Sequence, residues 1–228
     1  MKKKQRNIAP LYVYDKPKST ISEKFRGIRS NIMFSNADKE IRGLLITSER
    51  PSSGKSTISA NIAVTYAQAG YKTLLIDGDM RKPTQHYLFD LDNNSGLSSL
   101  TINKATYGEA IKETKVDNLG ILTAGPNPPN PSELIASNKF KEIYNELLAH
   151  YDFIVIDTPP INTVTDAQIY AQIIGDCALV IDAEKNNKNE VKKAKDLITK
   201  SGGKLLGAIL NKMPLDKSSS YYYYYGDE

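Results

Sequence analysis

The chain has 228 residues, a formal net charge of +4, 40% hydrophobic and 25% charged residues, and one cysteine. Such a composition supports a globular core, holds no apolar run near the roughly 18 residues of a membrane span, and carries too little positive charge to call for nucleic acid. Cys177 cannot form an internal disulfide, sits in an apolar run and reads as a buried thiol, so the chain is expected in the cytoplasm.

Residues 1–18 hold Pro10, Pro17 and little periodicity, and are expected as an extended arm. The front cluster Lys2, Lys3, Lys4 and Arg6 runs into Asn7 and Pro10 without the apolar core of a signal peptide. It reads as a solvated tail, with contact to an anionic membrane surface as the alternative. Ser19-Thr20-Ile21-Ser22-Glu23 brings cap-type residues ahead of an apolar period, so a helix starts there. Ile21, Phe25, Ile28 and Ile32 form its expected buried face, and Glu23, Arg26 and Arg29 a polar stripe beside it.

Leu44-Leu45-Ile46 reads as a buried strand, and Ile58, Ile62, Tyr66 and Ala69 recur at helical spacing up to Gly70. Between them lies Thr47-Ser48-Glu49-Arg50-Pro51-Ser52-Ser53-Gly54-Lys55-Ser56-Thr57. A strand, a tight loop and a helix start make a phosphate cradle, because free backbone N–H groups and the helix dipole point at one spot. Residues 52–57 would hold the phosphates (Ser52, Ser53, Gly54, Lys55, Ser56 and Thr57), with Lys55 adding a full charge and Ser56 a hydroxyl for Mg²⁺. Glu49 stands where the G-x-x-x-x-G-K-[ST] pattern has its first glycine.

Residues 72–76 are the next expected strand, ending in Asp77-Gly78-Asp79. Beyond it a turn at 93–96, a short helix over 107–114 and a strand over 119–122 are expected, and Pro126-Asn127-Pro128-Pro129-Asn130-Pro131 forbids regular structure. Ser132 caps a helical segment reaching His150, with a break near Ser137. Strands over 153–156, 177–181 and 205–210 alternate with helices over 166–174 and 189–201. The strands are short and continuously apolar, so both faces are covered. This pattern describes an α/β fold, an open and mostly parallel sheet with helices on both faces, whose ligands sit at the carboxyl ends of the strands. Asp77, Asp79, Asp157 and Asn211 follow strands directly and therefore converge on the edge that carries the phosphate loop. Carboxylates there orient Mg²⁺, often through water, which makes this an ATP or GTP site.

Leu74-Leu75-Ile76-Asp77-Gly78-Asp79-Met80-Arg81-Lys82-Pro83 and Asp157-Thr158-Pro159-Pro160 resemble the second and third nucleotide motifs of the bacterial tyrosine kinases of capsule and exopolysaccharide synthesis. Glu23-x-x-Arg26-x-x-Arg29 resembles that family's ring-forming motif, and Tyr221, Tyr222, Tyr223, Tyr224 and Tyr225 its C-terminal tyrosine cluster. The resemblance spans essentially the whole chain and implies a three-layer P-loop fold like that of partitioning ATPases. It implies an arm at 1–18, a kinase domain at 19–213 and a tail at 214–228 that is phosphorylated in trans from Mg-ATP. It further implies a homo-oligomeric ring joined through Glu23, Arg26 and Arg29, a membrane-anchored activator on a separate chain that holds the kinase at the inner face of the membrane, a cognate phosphotyrosine phosphatase and no nucleic acid. Lys55 would bridge phosphate oxygens, Ser56, Asp79 and Asp157 would hold Mg²⁺, and Asn211 would meet adenine. Asp77 is expected nearest the transferred phosphate, and whether Asp77 or Asp79 is the base stays open. Ser52 replaces the glycine that this family has after the loop proline. Two rivals share the fold: a partitioning or cell-division ATPase, and a nucleotide-dependent scaffold of a membrane polysaccharide machine.

Overall fold

The continuous apolar runs build the centre of a seven-stranded sheet in a computed structural model that describes residues 11–35, 40–185 and 187–213. The basic front cluster and Tyr221–Tyr225 lie outside the described residues. In chain order the strands are β1 (Gly43–Ser48), β2 (Thr73–Asp77), β3 (Ile111–Glu113), β4 (Leu119–Leu122), β5 (Phe153–Asp157), β6 (Asp176–Asp182) and β7 (Lys204–Asn211), arranged β3-β4-β2-β5-β1-β6-β7. Every pairing is parallel except β3 with β4.

Residues of β1, β2 and β5 are buried without exception, as strands covered on both faces must be. Successive side chains take opposite faces. Leu44 and Ile46 pack with the helices α2 (Thr20–Phe34) and α3 (Lys55–Gln68), whereas Leu45 packs on the other face with α8 (Asn138–His150), α9 (Asp166–Ile174) and α10 (Lys188–Lys200). The short helices are α1 (Tyr12–Asp15), α4 (Gln85–Leu88), α5 (Leu97–Thr101), α6 (Tyr107–Ala110) and α7 (Pro131–Ala136).

Ser19 caps α2 by accepting from the Ser22 backbone N–H at 3.2 Å. Phe25 and Ile32 are buried as expected, but Ile21 is exposed and Ser22 takes the inward place. The Ser22 hydroxyl bonds the carbonyls of Tyr12 and Lys16, so the chain ahead of α2 folds over that face. Residues 11–15 thus depart from the extended arm. Tyr12–Asp15 form one helical turn after Leu11, Val13 is fully buried, and its N–H donates to Asn61 Oδ1 at 3.0 Å.

The helix expected over 107–114 stops at Ala110. A capping box of Thr106 and Glu109 starts it, but Ile111, Lys112 and Glu113 complete more hydrogen bonds as an edge strand on β4. The break at Ser137 separates α7 from α8. Pro131 opens α7 instead of Ser132, and Asn130 precedes it as cap residue. The Ser132 hydroxyl instead donates to Asp166 at 2.6 Å.

Candidate active site

The loop from Glu49 to Gly54 leaves β1 and turns into α3 through two left-handed residues, Ser52 (φ 63°) and Gly54 (φ 89°). Glycine suits the second position, and a Cβ there would also lie 2.1 Å from Asn211 Nδ2. Ser52 adopts the backbone of a glycine while carrying a side chain. No side chain caps α3, so the N–H groups of its first turn remain available to an anion.

This loop and helix start wall one side of a cavity of about 350 Å³. Asp79, Arg81, Lys82 and Thr84, from the turn after β2, and Pro159 and Pro160, after β5, wall the other. Lys55 points into its base. Its Nζ lies 3.4 Å from Asp79 Oδ2, 3.4 Å from Asp157 Oδ1 and 3.2 Å from Ser56 Oγ. Burial opposes the ammonium, but the charges of Asp157, Asp79 and Asp77 outweigh it and raise its pKa above the ordinary lysine value. Asp157, Asp79 and Lys55 therefore share one rim, as their positions after strands predict.

The acids differ in role. Asp79 belongs to the cavity wall, whereas Asp77 and Asp157 are fully buried behind it. Asp77 Oδ2 accepts from the N–H groups of Thr84 (2.8 Å) and Gln85 (2.9 Å), and Oδ1 from Asp79 N–H (3.3 Å). It folds the turn that presents Asp79. Burial and then the Asp157 charge push the Asp77 carboxyl well above the ordinary range. Burial also raises the Asp79 pKa, against the opposing pull of Lys55 and the Lys82 N–H.

The donor set suits Mg²⁺. Ser56 Oγ, Asp79 and Asp157 are hard oxygen ligands converging on one point, and a cation, the Lys55 ammonium, already lies within 3.4 Å of all three. Mg²⁺ keeps several waters, so two carboxylates and a hydroxyl are a sufficient protein contribution.

Two site residues, Gln85 and Lys212, were not anticipated. Gln85 is fully buried, and its Nε2 donates to Asp157 Oδ2 at 2.8 Å and Ser56 O at 3.1 Å, fixing one acid against the loop. Nothing at sequence level marks it, because an amide eight residues past Asp77 has no motif. Lys212 follows Asn211, and its Nζ bridges Ser52 O (2.7 Å) and Asp182 Oδ2 (2.8 Å). Asn211 Nδ2 donates to Ser53 O at 2.8 Å. Glu49 is buried and accepts from Asp182 N–H at 3.2 Å and Ser53 Oγ at 3.3 Å. The loop is thus tied to the ends of β6 and β7. Arg81 makes a paired contact with buried Asp166 (2.9 and 3.0 Å) that holds it at the cavity mouth.

Glu23, Arg26 and Arg29 lie on α2, away from this cavity wall. Glu23 is ion-paired with Arg26, which also donates to Pro17 O at 2.7 Å, and Arg29 Nη1 donates to Thr65 O at 2.7 Å. Cys177 is buried as expected, and burial pushes its thiol up to about 12. None of the described helices is long and apolar enough to cross a membrane.

A profile of the AAA domain family matches residues 42–186. The chain is 78% identical over the full length of both proteins to the Staphylococcus aureus "Putative tyrosine-protein kinase CapB". It is 45% identical to the tyrosine-protein kinase YwqD of Bacillus subtilis, over 97% of this chain and 92% of that one. Among solved structures it is similar to the chimerical protein CapA2B2, with a TM-score of 0.87, 60% identity and 90% of each chain covered. It is also similar to the septum site-determining protein MinD complexed with Mg-ADP from Pyrococcus horikoshii, with a TM-score of 0.65, 27% identity and 77% and 72% of the chains covered.

Proposed function

The chain belongs to the bacterial protein-tyrosine kinases, and from that premise we propose that it transfers phosphate from Mg-ATP to its own tyrosines, Tyr221–Tyr225, in trans and so regulates capsular polysaccharide synthesis and export. The observation that carries the reading is the arrangement of Lys55 between Asp79 and Asp157 at the base of a cavity opened by an uncapped helix start.

Phosphates rest on residues 52–57, all of them on the cavity wall except buried Ser53, and the N–H groups of the α3 start and the Lys55 ammonium meet their charge. Lys55 exchanges its carboxylate partners for phosphate oxygens. When bound, Mg²⁺ neutralises charge across the phosphates, and Ser56, Asp79 and Asp157 are the residues that would hold it. Asp79, on the cavity wall, would hold the ion through water, which leaves its carboxylate facing the incoming phenol to take the proton as the phenolic oxygen bonds to phosphorus and the bond to ADP breaks. Asp77 positions Asp79 from behind. Asn211 both closes the loop and offers its amide to adenine.

Subunits form a ring through Glu23, Arg26 and Arg29, each tail entering the next site. An activator anchored in the membrane on a separate chain brings the kinase to the inner face, a pairing that the likeness to the chimerical protein CapA2B2 supports. Each phosphate adds about −1.5 to −2 charges, which expels the tails and dissolves the ring until a phosphotyrosine phosphatase restores it. The test is incubation with γ-labelled ATP, alone and with the activator's cytoplasmic segment. Label is expected on the tail and absent after Tyr221–Tyr225 are changed to Phe, with a fall in oligomeric mass as label accumulates. Free phosphate with no labelled protein overturns the reading in favour of an ATPase.

A further inference from the structure

β7 is the last strand of the sheet, and its outer edge pairs with no described strand. A register shift near Leu205 lets that residue share a face with Leu210, against α10. Together with Ile181 they floor a groove of about 420 Å³. One rim of the groove carries Lys188, Lys192 and Lys195, which recur at helical spacing along α10 and are all exposed. Among the described residues none of the three forms a salt bridge. An apolar floor beside three exposed ammonium groups matches a ligand with a flat apolar body and an anionic head.

We propose that this groove binds the chain's own tail, residues 214–228, once its tyrosines carry phosphate; the inference rests on the phosphoacceptor role given to the tail above. The ring of a phosphotyrosine lies on the apolar floor and its phosphate among the lysines. The position of the strand end favours this occupant. Leu210 is part of the groove, and the described chain ends three residues later at Met213. Tyr221 stands eight residues past Met213, a reach of about 26 Å, whereas Lys188 to Lys195 spans only about 10 Å, so the tail need only double back. Charge favours it as well. Asp216, Asp227 and Glu228 against Lys217 leave the unmodified tail side chains at −2, and each phosphate adds about −1.5 to −2. Lysines hold phosphate as point charges, without the fork of an arginine, so the hold is salt-sensitive and reversible. A tail captured on its own subunit is withdrawn from the neighbouring site and shielded from a phosphatase.

The test needs no catalysis. A synthetic peptide of residues 214–228 bearing phosphotyrosine is titrated onto the full chain in which Tyr221–Tyr225 are Phe, with Mg-ADP in excess to fill the nucleotide cavity. Binding is expected, at least ~10-fold weaker for the unphosphorylated peptide, and lost in the surface variant Lys188→Gln/Lys192→Gln/Lys195→Gln, whose thermal midpoint stays unchanged. A second variant, Ala208→Phe, fills the groove and is expected to weaken binding without altering charge. Affinity that survives the triple substitution, or that Mg-ADP abolishes, overturns the proposal. Lysine variants that change oligomeric mass and leave peptide binding intact assign the groove to a second copy of the chain, and also overturn it. Absence of tail phosphate in the labelling experiment, with peptide binding retained, sinks the autophosphorylation reading and leaves standing only the groove's affinity for phosphotyrosine.

Discussion

The centre of the sheet and its β7 edge are built to opposite rules. β1, β2 and β5 are buried at every residue and end in the phosphate loop, Asp77 and Asp157, while β7 mixes exposed and half-buried residues, with Leu210 56% exposed. The centre uses its burial to set the charge of Lys55 and the acids. The edge keeps apolar surface and three lysines in reach of whatever follows Met213. Charge is thus set where water is excluded, and open apolar and basic surface is left at the edge.

The largest effect that sharpens this contrast is Lys55→Met. It should cut tail phosphorylation by at least 10²–10³-fold, because a preorganised charge is lost at the reacting phosphate; labelled ATP measures it, and circular dichroism should report an intact fold. Next comes a paired truncation. Ile46→Ala, in the fully buried β1, should destabilise by about 2–5 kcal/mol, whereas Leu210→Ala at the edge should stay within about 0.5 kcal/mol, both read by urea denaturation. Equal costs would break the comparison. Gln85→Leu removes the buried donor to Asp157 and Ser56 O and should cost about 1–3 kcal/mol, with weaker Mg²⁺-dependent nucleotide binding by calorimetry. The smallest effect is a gain. Ser52→Gly relieves a left-handed serine and should stabilise the nucleotide-free protein by about 0.5–1 kcal/mol in a thermal melt, net of the added freedom of the unfolded chain.

The same contrast governs what could be read from the sequence. Runs such as Leu44-Leu45-Ile46 and Phe153-Ile154-Val155-Ile156 announce covered strands, and any acid directly after a parallel strand falls on one rim, so the meeting of Lys55, Asp79 and Asp157 was legible. Which acid faces the cavity was not. Asp77 and Asp79 are two residues apart, and only the hydrogen bonds from Thr84 and Gln85 turn Asp77 inward. Tertiary pairing also overrode local pattern at Ile111–Glu113, where an edge strand replaced the end of a helix. Ile21 and Ser22 exchanged places because Ser22 satisfies two carbonyls of the preceding turn, a demand invisible to hydrophobic periodicity. The left-handed backbone of Ser52 was hinted at only by the resemblance, which puts glycine after Pro51.

Lys212 grips the carbonyl of Ser52 from the last turn of chain before the tail. Traction on the terminus therefore arrives at the phosphate-holding loop through two neighbouring side chains, the Lys212 ammonium and the Asn211 amide on Ser53 O, without having to travel across the sheet. The molecule has in effect a short tether between its leash and its latch, and tension on one is felt by the other.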